Sequence, residues 1–264
     1  MNRLEKKVLS LKKQKKKALI TYITAGYPSA GATEGIFRTL VDSGADIVEL
    51  GIPFSDPIAD GPTIQRSSDQ ALKNGMSLDK IFQLVKKIRR NCDTPVILMG
   101  YLNPLMRNGI ERTAELAGRS GVDGFIVPDL IPEESDELRK IFKKHGVSLI
   151  FLAAPNTPAG RLKSIARYSD PFVYIVSLTG VTGGRKNLPK DLITFLARTK
   201  SNIRKPRYIG FGISRAEQVR SLKKYVDGVI VGSAVIDILT KYRSADKRTK
   251  KLSEFVRSLK CALV

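Results

Sequence analysis

Two carboxylates, Glu49 and Asp60, are the residues of this chain best suited to acid–base chemistry. Glu49 stands in Asp46-Ile47-Val48-Glu49-Leu50, an apolar run that reads as a buried strand. The run supplies no cation. A carboxyl desolvated in this way titrates above its usual range, which suits proton transfer near neutral pH. The alternative is a structural carboxylate paired with a cation from elsewhere. Asp60 follows in a loop broken by Gly51, Pro53, Pro57 and Gly61, which cannot start a helix before Pro62. An ionised Asp60 there can accept a hydrogen bond from a substrate; the alternative is an ordinary Asp-Gly turn. Asp56, between Pro53 and Pro57, is held outward on the same stiff loop.

The elements around this stretch repeat. The chain has 264 residues, enough for one α/β barrel of about 250. Strands are expected at 18–26, 46–51, 95–101, 124–130, 148–154, 172–178, 207–213 and 228–234. Helices are expected between them, among them 31–43, 63–73, 78–90, 104–118, 133–144, 159–168, 189–199 and 215–223, with two more at 234–242 and 247–261. The strands are nearly unbroken apolar runs, as in a parallel sheet covered on both faces. Eight strand–helix units with no linker predict a single (β/α)₈ TIM barrel over 18–264, preceded by a basic N-terminal helix over 1–17. A doubly wound sheet is the runner-up, but no Gly-x-Gly-x-x-Gly turn follows the first strand.

A barrel gathers its chemistry at the C-terminal ends of its strands. The residues there are Tyr22 and Thr24 after the first, Glu49 and Asp60 after the second, and Tyr101 and Asn103 after the third. Asp129 lies at the end of the fourth strand and Tyr174 in the sixth, with Thr182 and Gly183 in the glycine-rich loop 179–188. Gly210, Phe211 and Gly212 end the seventh, Gly232 and Ser233 the eighth. Gly212 and Gly232 let backbone N–H groups approach a phosphate, and Ser233 opens a helix whose N-terminus favours an anion. Ordinary tight turns are the alternative.

Other chemistries find little support. His145, the one histidine, precedes Gly146 at a helix end and reads as a C-terminal cap. No carboxylate–histidine cluster suggests a metal. Cys92 and Cys261 have no metal-ligand spacing and read as free thiols. The terminal Cys261-Ala-Leu-Val264 matches a prenylation box, yet the same residues end an amphipathic helix. No apolar run is long enough to span a membrane, and lysines occupy the place of a signal segment, so a cytoplasmic location is expected. The net charge is +21. Residues 1–17 carry a net +7 and residues 241–264 a net +6, so the excess is concentrated at the termini. Leu4, Val8 and Leu11 recur at helical spacing among those lysines. No aromatic side chain interleaves with them, so a solvated face is expected there, not a nucleic-acid site.

The stretch Glu49-Leu-Gly-Ile-Pro-Phe-Ser-Asp-Pro-Ile-Ala-Asp-Gly-Pro-Thr-Ile-Gln65 resembles the signature of the tryptophan synthase alpha chain family. So do Leu19-Ile-Thr-Tyr-Ile-Thr-Ala-Gly-Tyr-Pro28, Met99-Gly-Tyr-Leu-Asn-Pro104 and Gly121-Val-Asp-Gly-Phe-Ile-Val-Pro-Asp-Leu130. The similarity continues through Gly180-Val-Thr-Gly183, Gly210-Phe-Gly-Ile213 and Val231-Gly-Ser233. It implies a lyase that cleaves indole-3-glycerol phosphate to indole and glyceraldehyde 3-phosphate with no metal or organic cofactor of its own. It also implies catalysis by Glu49 and Asp60 assisted by Tyr174, with Tyr22, Met99, Tyr101, Thr182 and Phe211 around the substrate. Phosphate would rest on Gly183, Gly210, Gly212, Gly232 and Ser233, and loop 179–188 would close as a lid. The implied partner is a beta chain carrying pyridoxal phosphate, in an α2β2 heterotetramer, met by Pro53, Asp56 and Asn103. The +21 charge is no part of the resemblance.

Overall fold

The computed structural model describes residues 1–177, 188–210 and 212–264. Nine parallel strands run β1 (Ala18–Thr24), β2 (Ile47–Gly51), β3 (Val96–Met99), β4 (Gly124–Ile126), β5 (Ser148–Ile150), β6 (Leu152–Ala153), β7 (Val173–Val176), β8 (Arg207–Gly210) and β9 (Gly228–Val231). Their order is β5-β4-β3-β2-β1-β9-β8-β7-β6. The two ends of that list, β5 and β6, are consecutive halves of one strand separated by Phe151. The sheet therefore runs full circle, and the eight-unit barrel read from the sequence is the observed fold. Register places Tyr22 beside Glu49 and Glu49 beside Ile97. Every residue of β1 and β2 is buried, which is why these strands are apolar on both faces.

Helices α2 (Ala32–Asp42), α3 (Pro62–Lys73), α4 (Leu78–Ile88), α7 (Asp136–Lys144), α8 (Ala159–Tyr168), α9 (Lys190–Asn202) and α10 (Ala216–Leu222) cover the outside. They are joined there by α11 (Ser233–Lys241) and α12 (Ala245–Leu263). Pro62 takes the first turn of α3, as its fixed φ allows. The single helix expected over 104–118 is instead two, α5 (Leu102–Asn108) and α6 (Ile110–Ser120). Gly109, at φ +85°, breaks the run because no helical residue can hold that angle. His145 occupies the C-cap of α7.

Helix α1 (Arg3–Lys13) lies across the N-terminal end of the barrel. Asn2 and Glu5 close its first turn as a capping box. The Asn2 amide also donates to the Asp123 and Gly146 carbonyls at 2.8 and 2.9 Å. Leu4, Val8 and Leu11 are buried, each worth on the order of 1.5–3 kcal/mol. The basic helix is thus an integral cover, with its lysines outward. None of the described helices is long and apolar enough to cross a membrane.

Candidate active site

At the C-terminal end of the strands lies a cavity of about 310 Å³, walled by Tyr22, Glu49, Asp60, Met99 and Tyr174 on one side and by Gly212, Ser214, Gly232 and Ser233 on the other. Glu49 reaches it from the buried end of β2. The residue is 1% exposed, and its Oε2 has no hydrogen-bond partner among the described residues. Burial, and then the charge of Asp60, push its carboxyl up to about 8. This is the desolvated acid expected from the apolar strand, and no cation among the described residues offsets it.

Asp60 comes from the loop between β2 and α3. Burial lifts its carboxyl to about 6, and a hydrogen bond from Tyr101 opposes that rise. Near neutral pH the pair therefore holds a protonated Glu49 and an ionised Asp60. Two carboxyls in different settings divide into an acid and an anion. The loop is held at several points. The Gln65 amide donates to the Asp60 carbonyl at 2.9 Å, and the Phe54 N–H donates to Ser68 Oγ at 2.8 Å.

Tyr22 and Tyr174 face the carboxylates, and burial drives both phenols upward, so both stay neutral. A chain of hydroxyls ties Tyr22 to α3: Tyr22 to Thr24 at 3.2 Å, Thr24 to Ser67 at 2.6 Å, and Ser67 to the Ile64 carbonyl at 2.8 Å. Two glycines make room for these rings. A Cβ on Gly51 would fall on the Tyr22 hydroxyl, and one on Gly210 on the Tyr174 hydroxyl. Gly210, expected at the phosphate, also leaves room for the Tyr174 ring. Gly210→Ala is accordingly expected to cost about 1–3 kcal/mol through overpacking. Urea unfolding checks this, and an unchanged midpoint would mean that Tyr174 can move aside freely.

Tyr101, expected beside the substrate, stands against Asp60 of the cavity wall. Its hydroxyl accepts the Ala59 N–H at 2.9 Å and bonds Asp60, while its ring packs 5.4 Å from Phe54. Tyr101 sets the position of Asp60.

On the far wall, Gly212 holds φ +76°, a conformation that favours glycine. Gly232 precedes Ser233, the first residue of α11, whose start has no side-chain cap. First-turn N–H groups lack intrahelical partners and attract anions. The start of α10 is closed differently: Gln218 Oε1 accepts the Ser214 and Arg215 N–H groups at 2.8 and 3.0 Å. The start of α11, by contrast, has no side-chain acceptor. Two polar side chains on the lining escaped the sequence reading. Ser214 had a signal, being a hydroxyl just beyond Gly212. Asp237 had none, since it lies inside a helix; at the cavity mouth it accepts Thr63 Oγ1 at 3.3 Å.

Thr182, Gly183 and Phe211, with loop 178–187, lie outside the described residues. On the expected partner loops, Asp56 and Asn103 are exposed while Pro53 is buried, so Pro53 shapes the loop from within. Among the described residues no three His, Cys, Asp or Glu side chains gather as metal ligands.

Known proteins share both chain and fold. The family model described as tryptophan synthase alpha chain matches residues 8–264. The tryptophan synthase alpha chain of Geobacter sulfurreducens is 43% identical over 263 residues, covering 100% of this chain and 99% of that one. The tryptophan synthase alpha subunit structure from Legionella pneumophila superposes with a TM-score of 0.92 at 38% identity, covering 100% of this chain and 98% of that one. A chain from the tryptophan synthase α2β2 complex of Pyrococcus furiosus gives a TM-score of 0.86 at 44% identity, covering 92% and 98%. This chain belongs to the tryptophan synthase alpha chain family.

Proposed function

We propose that this chain cleaves indole-3-glycerol phosphate to indole and glyceraldehyde 3-phosphate in the cavity above β2. The observation that carries this is the buried Glu49 carboxyl, whose Oε2 has no partner among the described residues, in one cavity with Asp60 and an uncapped helix start. The substrate phosphate rests on the first turn of α11 and the Gly212 backbone. The indole lies between Tyr22 and Met99, with its ring N–H on Asp60.

The cleavage conserves protons. Indole is a poor leaving carbanion until C3 gains a proton. Glu49 delivers that proton, and positive charge develops on the ring nitrogen. Ionised Asp60 stabilises the charge from a site with little water. Glu49, now a carboxylate, takes the proton of the glycerol hydroxyl. The carbon–carbon bond breaks, its electron pair returns to the ring to regenerate neutral indole, and the hydroxyl carbon leaves as the aldehyde. Tyr174 supports Glu49 through each transfer.

The reading assigns no cofactor to this chain, a beta partner with pyridoxal phosphate in an α2β2 assembly, and a cytoplasmic setting. A rim of exposed side chains at the same end of the barrel suits such a partner. Ile58 is 84% exposed, Met106 62% and Ile131 41%, and they follow three adjacent strands whose loops also carry the exposed Asp56 and Asn103. Apolar groups rimmed by polar ones mark interfaces.

One loop thus carries both Asp56, facing outward, and Asp60, facing the substrate. A partner that favours the substrate-bound loop raises turnover, and substrate tightens the partner in return. The test is indole release by the purified chain, alone and with a beta chain. A low rate is expected alone, rising about ten-fold or more with the partner, which is about 1.4 kcal/mol of barrier. Asp56→Ala should blunt that rise more than it lowers the isolated rate. Equal losses in both assays would confine Asp56 to the local fold. No indole under either condition would remove the proposed activity.

A further inference from the structure

A second cavity, of about 380 Å³, opens at the opposite end of the barrel from Glu49. Its walls come from two distant stretches of chain. Lys12, Lys15, Lys16 and Lys17 supply one, at and beyond the end of α1. Lys200, Arg204, Lys205 and Arg207 supply the other, from the end of α9 into β8. Among the described residues the only carboxylate on the lining is Asp227. Lys17 and Arg207 lie 3.8 and 3.7 Å from it, and Lys205 turns to Asp170 at 2.7 Å. Lys12, Lys15, Lys16, Lys200 and Arg204 form no ion pair or side-chain hydrogen bond among the described residues.

Helix ends do not account for this many cations. Both α1 and α9 end here, and each C-terminus presents about half a negative charge. With Asp227 and Asp170 that is about three negative charges against eight positive side chains, leaving roughly five unbalanced. A concave site with low-dielectric walls concentrates the resulting field. The backbone adds a second sign. Lys15 has φ +55°, the one positive φ among the described non-glycine residues. The Lys16 N–H donates to the Leu11 carbonyl at 2.9 Å and the Lys15 N–H to the Lys12 carbonyl at 3.1 Å. This is the helix-closing turn in which glycine is usual and a Cβ is unfavourable. A lysine held there keeps one more cation at the cleft despite the backbone cost.

The shape selects among anions. A nucleic-acid strand needs a charged track and exposed ring faces for its bases. Here the cations line a compact cleft, and Tyr208, the one aromatic on its lining among the described residues, is 2% exposed. The volume falls within the range of about 300–1,000 Å³ common for small-molecule sites. We propose that this cleft binds a compact polyphosphate anion, such as an inorganic polyphosphate or the phosphate chain of a nucleoside triphosphate.

Calorimetric titration of the full chain with inorganic tripolyphosphate tests this. Saturating glycerol 3-phosphate keeps the monophosphate site at the other end of the barrel filled. Binding is expected to weaken about ten-fold or more in Lys16→Glu/Arg204→Glu and to weaken with salt. Lys247→Glu/Lys250→Glu, the same charge change on the exposed face of α12, should leave the affinity near that of the parent. Lys15→Gly should melt at the same or a higher temperature and yet bind more weakly. ATP binding equal to that of tripolyphosphate would identify the phosphate chain alone as the ligand, and tighter ATP binding a nucleotide. Equal losses in the two double variants would reduce the effect to net charge and overturn the site. Unchanged binding in Lys16→Glu/Arg204→Glu would overturn it too. A short single-stranded RNA that binds more tightly than tripolyphosphate and loses that affinity in the same variant would replace the compact anion with a nucleic acid.

Discussion

Glu49→Gln is expected to lower indole release by about 10²–10⁴-fold or more while leaving glycerol 3-phosphate binding intact, since the amide keeps the shape and cannot carry a proton. Comparable turnover in the variant would show that another group supplies the proton to C3. The same substitution should stabilise the fold, in a pH-dependent way. The carboxyl moves from an ordinary 4.5 to about 8 on folding. Below the lower value both states hold the proton and burial carries no ionic penalty. Between the two, the unfolded chain gives up a proton that the folded chain keeps, so parent stability falls as pH rises. Above about 8 the loss is complete. Glutamine has no such dependence. The advantage of the variant should therefore open between these two values and reach a few kcal/mol, at about 1.4 kcal/mol per unit. Urea unfolding at pH 5 and pH 9 reads it directly, and equal differences at both would mean that Glu49 is solvated in the folded protein.

Asp60→Asn is expected to reduce indole release by about 10²–10³-fold, the usual loss when a charge-stabilising partner is removed from a dry site. Its pH profile is the sharper measurement. Turnover in the parent needs Asp60 ionised and Glu49 protonated. The rate should rise through about 6 and fall through about 8, with both limbs belonging to the coupled pair. The variant has no carboxyl at position 60, so the acid limb should vanish. It also lacks the negative charge that helps to raise Glu49, so the alkaline limb should move to lower pH. An acid limb that persists unchanged would assign it to another group and remove Asp60 from the ring nitrogen.

The sequence by itself determined what depends on local periodicity and solvation. Eight apolar runs alternating with amphipathic segments specify strands covered on both faces by helices, and only a few architectures satisfy that. Pro62 marks a helix start because its φ is fixed, and Leu4, Val8 and Leu11 mark the buried face of α1 because they recur with the helical turn. Glu49 was legible as a perturbed acid because its immediate neighbours are apolar. Only the tertiary structure decided what these groups meet. Barrel closure brings Tyr174, from β7, to Glu49 and Tyr22, and no local pattern encodes that approach. It brings the Tyr101 hydroxyl to Ala59 and Asp60, and it sets Gly210 against the Tyr174 ring. It likewise joins Lys12–Lys17 to Lys200–Arg207 in one cleft, where the sequence showed a solvated basic helix and scattered lysines. Convergence of this kind is set by strand register and by closure of the whole sheet, through contacts between residues far apart in the chain.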